Sequence, residues 1–85
     1  MYIVVQHHIS DKQGFWGAVE RATPNLPPGL KVLQVPPSRD KAEATCVWDA
    51  GSVEAVQTVV ETTVGAFSTN SYYELDRDNA LGFGT

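Results

Sequence analysis

The chain has 85 residues, enough for one small domain and too few for two, so we treat residues 1–85 as a single unit. Hydrophobic residues make up 42% and charged residues 19%, a balance typical of globular chains. Six basic and ten acidic residues give a net charge of −4, which argues against nucleic acid and anionic membranes as partners. One cysteine, Cys46, excludes an internal disulfide and favours a reducing cytoplasm. No secretory signal is apparent, and no apolar run approaches the roughly 20 residues of a membrane span.

The first half of the chain predicts a strand, a helix and a second strand. Residues 2–9 are rich in β-branched and aromatic side chains, a composition that suits a buried strand. Ser10 and Gln13 have the spacing of a capping box, so we expect a helix that begins there and ends before Pro24. Apolar residues follow at helical spacing, namely Phe15, Val19 and Ala22. After a proline-rich connector, residues 30–35 are predicted to form the second strand.

The second half repeats the order strand, helix, strand. Residues 42–49 form the predicted third strand, which follows a polar turn. Ser52 is placed to cap a second helix, and Gly65 is placed to end it. Valines at helical spacing mark the buried side of that helix: Val53, Val56, Val60 and Val64. Residues 71–75 are the predicted last strand, and residues 76–85 form a tail.

This order of elements predicts an α+β fold of the ferredoxin-like type, βαββαβ. Right-handed crossovers in both halves give a four-stranded antiparallel sheet with two helices on one face. The opposite face of the sheet is then left without helices.

Alternation along the strands sorts their side chains into two sets. The set expected under the helices is almost wholly apolar: Ile3, Val5, Leu33, Val35, Ala44, Cys46, Trp48, Tyr73 and Leu75. The set expected on the open face mixes valines with hydrogen-bonding groups: Val4, Gln6, His8, Val32, Gln34, Thr45, Val47, Tyr72 and Glu74. A solvated sheet face is normally plainly polar, so we expect a second copy of the sheet to cover this one and to enclose a cavity. The sequence therefore predicts a homodimer formed through the open sheet face.

Two segments carry a resemblance to a known superfamily. Residues 44–56, ATCVWDAGSVEAV, resemble the strand–SVEA–helix segment of muconolactone-isomerase-like proteins. Together with residues 72–75, YYEL, and the βαββαβ order, they resemble the dimeric α/β-barrel superfamily. That superfamily includes muconolactone isomerases, antibiotic-biosynthesis-type and haem-degrading monooxygenases, and small nickel-binding proteins. The resemblance implies a dimer with a lumen between its two sheets.

His7 and His8 are the most conspicuous candidates for chemistry. Adjacent strand residues point to opposite faces, so we expect His8 in the cavity and His7 against the helices, an arrangement that a bulge would exchange. Three interpretations stay open: a packed histidine with one hydrogen-bonded nitrogen, a proton-transfer group, or a metal ligand. The sequence has no HxH, HExxH or CxxC spacing, so the signal for a metal is weak and no metal ligand is assigned. No cofactor is expected either.

Tyr72 and Glu74 are expected to project with His8 from the open face. The first and last strands are neighbours in the ferredoxin-like order, so these side chains are predicted to converge. A carboxylate beside an imidazole fixes its tautomer and raises its basicity, and a tyrosine can donate a hydrogen bond to a substrate oxygen. The alternative is a structural hydrogen-bond cluster between strands or subunits.

The remaining candidates have simpler interpretations. Four open-face residues are predicted to contact a ligand in the cavity: Gln6, Gln34, Thr45 and Val47. Cys46 is interpreted as a small buried hydrophobe, because the sequence places no activating base beside it. Trp16 and Trp48 are expected in the core or at the interface.

The function favoured by these features is a cofactor-independent isomerase or monooxygenase acting on a small hydrophobic organic molecule, with His8 or His7 as the base. The alternatives are a non-catalytic ligand- or metal-binding module, for example a nickel-binding one, and a purely structural dimer. We also expect Leu81 and Phe83 of the tail to reach onto the partner subunit.

Overall fold

The computed structural model describes residues 1–79. Its elements are β1 (Tyr2–Ile9), α1 (Lys12–Ala22), β2 (Lys31–Gln34), β3 (Glu43–Asp49), α2 (Val53–Val64) and β4 (Ser68–Glu74), with short 3₁₀ turns at Thr23–Asn25 and Arg77–Asn79. The four strands form one open sheet in the order β2-β3-β1-β4, and every neighbouring pair is antiparallel. This arrangement confirms the predicted fold class and is compatible with the ferredoxin-like fold.

Both helices pack on the same face of the sheet. They contribute Phe15, Ala18, Val56, Val60 and Val64 to the buried cluster, and the sheet contributes Ile3, Val5, Ala44, Cys46 and Trp48. Valines are poor helix formers, so α2 depends on this burial for its stability. Each fully buried aliphatic side chain contributes about 1.5–3 kcal/mol.

The two helices begin differently. Ser52 caps α2 as predicted, since its side-chain oxygen accepts a hydrogen bond from the Ala55 amide at 3.1 Å. The predicted capping box of α1 is wrong, because Asp11 is the capping residue and accepts from the Gly14 amide at 3.0 Å. The Ser10 hydroxyl instead donates to the Phe67 carbonyl oxygen at 3.0 Å and ties β1 to the turn before β4.

Some side chains of β2 and β4 lie on the opposite face of the sheet from the one predicted. Val32 lies opposite Trp48 and packs on the helix-side core, while a bulge between Val32 and Gln34 leaves Leu33 outside that cluster. In β4, Tyr72 lies opposite Val5 on the helix side. In β4 a one-residue shift exchanges the faces of Tyr72, Tyr73 and Glu74 together. In β2 the bulge changes the placement of Val32 and Leu33 and leaves Gln34 on the open face.

The rest of β4 follows from its register. Tyr73 lies opposite Val4 on the open face, and Glu74 lies opposite Ile3. The strand begins at Ser68, earlier than the predicted 71–75, because the polar residues Ser68 and Asn70 turn inward and find partners there. Leu81 and Phe83 lie outside the described residues. No helix within residues 1–79 is long and apolar enough to cross a membrane.

Candidate functional site

A buried hydrogen-bonded cluster lies under the helices at His7. The histidine is only 3% exposed, and both ring nitrogens have partners. Nδ1 lies 2.6 Å from Oδ1 of Asn70, and Nε2 lies 3.0 Å from Sγ of Cys46. Asn70 is the direct cross-strand partner of His7 on β4, and Cys46 lies two residues beyond its partner Ala44 on β3. The three side chains therefore converge because β1 lies between the strands that carry the other two.

The hydrogen bonds around Asn70 fix the tautomer of His7. The Asn70 Nδ2 group donates to Glu61 Oε2 at 2.9 Å, so its Oδ1 faces the histidine. Ser68 Oγ also donates to that oxygen, at 2.8 Å. An oxygen can only accept, so Nδ1 of His7 carries the proton and Nε2 is left as the acceptor for the Cys46 thiol.

Glu61 of α2 anchors the outer end of this cluster. Its Oε2 accepts hydrogen bonds from the Tyr72 hydroxyl and from Asn70. The hydrogen bond from Tyr72, followed by that from Asn70, lowers the pKa of Glu61. Burial, reinforced by the bond to Glu61, raises the pKa of Tyr72. Tyr72 is therefore a neutral donor to a carboxylate and points away from the open face.

Burial keeps the central pair uncharged at neutral pH. Desolvation lowers the pKa of His7, and the hydrogen bond to Asn70 and the charge of Glu61 offset only part of this effect. Desolvation also raises the pKa of Cys46 to about 12. The resting state is a thiol that donates to a neutral imidazole.

A small cleft adjoins the cluster on the helix side. Its volume is about 40 Å³, which holds a few water molecules or a small organic group. His7, Cys46 and Trp48 line it together with aliphatic side chains from both helices and β2. Trp48 is 6% exposed, and its Nε1 has no hydrogen-bond partner among the described residues. The indole of Trp16, by contrast, donates to the Lys41 carbonyl oxygen at 3.3 Å.

The open face carries side chains in rows that run across the strands. One row is mostly apolar: Gln34, Val47, Val4 and Tyr73. The next row is polar: Thr45, Gln6 and Ser71. The third holds His8 between Glu43 and Thr69, and its Nδ1 lies 3.0 Å from Glu43 Oε1. An open groove of about 410 Å³ runs beside this end of the sheet and is lined by Gln6, His8, Glu43 and Thr45, with Pro36 to Ser38 along it.

The structure separates the predicted catalytic residues. His7 and His8 take opposite faces, as expected from strand alternation. His8, Tyr72 and Glu74 do not converge, because Tyr72 lies under α2 and Glu74 lies opposite Ile3, at the other end of the sheet from His8. Glu43, which the sequence did not single out, is the carboxylate beside His8. The catalytic roles of His7, His8, Tyr72 and Glu74 stay predictions.

The predicted ligand contacts keep the face assigned to them. Gln6, Thr45, Val47 and Gln34 occupy neighbouring rows of the open face, and two of them, Gln6 and Thr45, line the groove. Within residues 1–79, no three His, Cys, Asp or Glu side chains group as metal ligands would.

The buried cluster was missed at the sequence level. Alternation places His7 and Cys46 on the same face, but their contact depends on which strands are neighbours and in what register. Asn70 and Glu61 carry no pattern of their own. Comparison with models of protein families, with curated proteins and with solved structures gives no significant match for this chain. The fold class therefore rests on the topology described above.

Proposed function

We propose that the protein binds a small organic molecule in the groove beside His8 and removes a proton from it. The observation that carries this proposal is the His8–Glu43 pair, joined at 3.0 Å in a groove that also presents Gln6 and Thr45. A groove of about 410 Å³ is within the size range of small-ligand sites. The resemblance to dimeric α/β-barrel proteins is a second, weaker support.

The pair has the geometry of an oriented general base. Because Nδ1 of His8 faces Glu43, its N–H donates a hydrogen bond to the carboxylate, and Nε2 is the nitrogen left to accept a proton from the substrate. Gln6 and Thr45 are direct cross-strand partners, so their side chains can donate hydrogen bonds to one substrate oxygen. Removal of a proton beside a carbonyl and its return to another carbon is an isomerisation, which needs no cofactor.

A second copy of the chain is the proposed cover of this groove. His8 and Glu43 have side chains that are 69% and 61% exposed, so in one protomer water competes for their hydrogen bonds. The apolar row on the same face adjoins the polar row, and Tyr73 within it is 49% exposed. Sheet-to-sheet pairing would bury the apolar row and exclude water from the site at the same time.

Hydrogen–deuterium exchange at carbon tests the proposal. Enolisable ketones, lactones and β-keto esters are incubated with the protein in D₂O, and loss of the carbon-bound proton signal is followed by NMR. We expect the wild type to accelerate exchange of at least one class, and His8→Gln to lower that rate about 10²-fold. Glu43→Gln should lower it less, because it removes the orienting carboxylate and keeps the base. Lys31→Gln, at the other end of the sheet, is the control and should match the wild type.

The other outcomes separate the alternatives. Amide shifts confined to Gln6, His8, Glu43 and Thr45 without exchange would identify a non-catalytic ligand-binding module. If no compound class causes amide shifts or exchange, the proposal is wrong and the structural dimer is the alternative that remains. Unchanged exchange in the His8→Gln variant, with an unchanged melting temperature, would remove His8 from the site.

A further inference from the structure

The geometry points to a second reactive centre, on the opposite side of the sheet: Cys46 is a nucleophile for small acyl groups, with His7 as its base and Asn70 as a positioning residue. This inference does not depend on the groove beside His8, since His7 is the one side chain that lines both the cleft and the groove. The substrate class is an acetyl-sized ester or thioester. The reaction is acyl transfer to sulfur, followed by hydrolysis.

The first support is the order of contacts in the buried cluster. Sγ of Cys46 lies 3.0 Å from Nε2 of His7, and Nδ1 of the same ring lies 2.6 Å from Oδ1 of Asn70. Nucleophile, base and orienting group are therefore joined in sequence, as covalent catalysis by a thiol requires.

The second support is that the proton positions suit this reaction. Asn70 is fixed by Glu61 and Ser68, so its oxygen holds the Nδ1 proton of His7 and leaves Nε2 to receive the proton of the thiol. The imidazole is uncharged at neutral pH, because burial lowers its pKa, and it is therefore available as a base. Burial also disfavours a free thiolate, so deprotonation must accompany the attack on the substrate.

The third support is a hydrogen-bond donor without a partner beside the same cleft. Trp48 is 6% exposed and lines the cleft with His7 and Cys46, and its Nε1 bonds to no described residue. Buried N–H groups almost always have a partner, so an unpaired one marks a place for an acceptor. The Nε1 atom itself has almost no accessible surface, so the indole must turn towards the cleft before this N–H can donate to a substrate carbonyl oxygen.

The size and lining of the cleft define the acyl group. A volume of about 40 Å³ suits a group of acetyl size, which we therefore assign as the acyl group. Its walls are aliphatic, among them Val19, Val32 and Val60. Thr23, also part of the lining, is exposed, so the cleft reaches solvent near the end of α1 and the leaving group can remain outside.

The chemical steps balance with water as the second substrate. Sγ attacks the carbonyl carbon while the thiol proton passes to Nε2 of His7. The tetrahedral intermediate then expels the alkoxide or thiolate, which takes that proton, and leaves the acyl group on Cys46. Water attacks the thioester with His7 as the base, releases the carboxylic acid and restores the thiol.

Acetylation by p-nitrophenyl acetate tests the inference. Native wild-type protein is mixed with the ester, release of p-nitrophenolate is followed, and the modified residue is located by mass spectrometry. We expect one acetyl group, on Cys46, and a faster reaction in the native protein than in the urea-unfolded chain. His7→Gln should slow acetylation about 10²-fold. Asn70→Ala should slow it less, and its pH–rate profile should shift because the tautomer of His7 is no longer fixed.

The controls make the outcome decisive. Gln57→Ala, on the exposed side of α2, should react like the wild type, and Cys46→Ala should give no adduct. If the unfolded chain reacts faster than the native protein, Cys46 is an inert buried thiol and the inference is wrong. The wild-type comparison alone decides this point, even if the His7→Gln variant does not fold.

Discussion

Glu61 holds two side chains of β4 through one carboxylate oxygen. The Tyr72 hydroxyl and the Asn70 amide both donate to Oε2, and through Asn70 the carboxylate fixes the orientation of His7. The influence of Glu61 on His7 passes through the two hydrogen bonds of the Asn70 side chain, in each of which the donor and the acceptor are defined. At the scale of single residues, the proton position on His7 is therefore set by a residue on a helix that does not touch it directly.

The Tyr72 hydroxyl should stabilise the protein, and the Tyr73 hydroxyl should not. We expect Tyr72→Phe to lower the free energy of unfolding by about 1 kcal/mol, because the carboxylate of Glu61 loses a charge-assisted hydrogen bond at a partly solvated site. The same change should raise the pKa of Glu61 towards its ordinary value. Urea unfolding measures the first effect, and NMR titration of the Glu61 carboxylate measures the second.

Tyr73→Phe is the matched control for this change. The two tyrosines are neighbours in the same strand, but Tyr73 lies on the open face and makes no contact with Glu61. Its variant should leave both the unfolding free energy and the pKa of Glu61 unchanged. Equal effects in the two variants would mean that the Tyr72–Glu61 bond does not contribute.

At the scale of elements, α1 approaches the α2–β4 turn closely enough to require glycine. Phe67, in that turn, accepts backbone hydrogen bonds from Ser10 and Asp11 through its carbonyl oxygen. Its ring lies over Gly14, where a Cβ would meet the ring carbons at 2.7 Å and Asp11 Oδ2 at 2.9 Å. The glycine weakens the helix and allows this contact.

Gly14→Ala should therefore destabilise the protein, although alanine is the better helix former. The overlap with the Phe67 ring and the cap outweighs the gain in helix propensity of roughly 1 kcal/mol, and we expect a net loss of about 1–2 kcal/mol. Gly17→Ala is the matched control, because its Cβ would meet only a terminal nitrogen of Arg21, at 3.2 Å. That variant should be neutral or more stable. Thermal unfolding of both compares the two positions, and a stabilised Gly14→Ala would show that the ring moves aside freely.

Sequence patterns were sufficient for the architecture and insufficient for the site. The bounds of β1 and α2 followed from composition, the Ser52 cap and the valine spacing, all of which are local. The sheet face occupied by Tyr72 could not be predicted in this way, because Tyr72 and Tyr73 are identical neighbours and either could lie under the helices. The pairing of β4 with β1 decides between them. The contacts of His7 with Cys46 and Asn70 depend on three strands at once, which no local pattern encodes.

At the scale of the whole molecule, the open face is the surface on which we expect a second copy of the chain to bind. The sequence analysis expected a second copy to shield Val4, Val32 and Val47 from water. Two of them are already shielded within one chain, because Val32 packs under the helices and Val4 is only 4% exposed. Among the described residues, the exposed large apolar side chains are instead Met1 and Tyr73, each at 49%, and Leu33, at 38%. Tyr73 lies at one end of the row that contains Val47, and Leu33 precedes Gln34, which lies at the other end. A two-fold axis through this row would place each tyrosine and leucine against the partner's apolar row.

We expect the wild type to sediment at about twice the 9.2 kDa mass of the chain at micromolar concentration. Each half-exposed side chain removed from water contributes about 1 kcal/mol, so two from each copy, with Val47 between them, favour association. Leu33→Lys or Tyr73→Lys should give a monomer that keeps its melting temperature at low concentration, because neither side chain belongs to the helix-side core. Gln57→Lys, on an exposed position of α2, adds the same charge elsewhere and should remain a dimer. A wild type that sediments as a monomer would remove the proposed cover of the His8 groove and leave that site open to water.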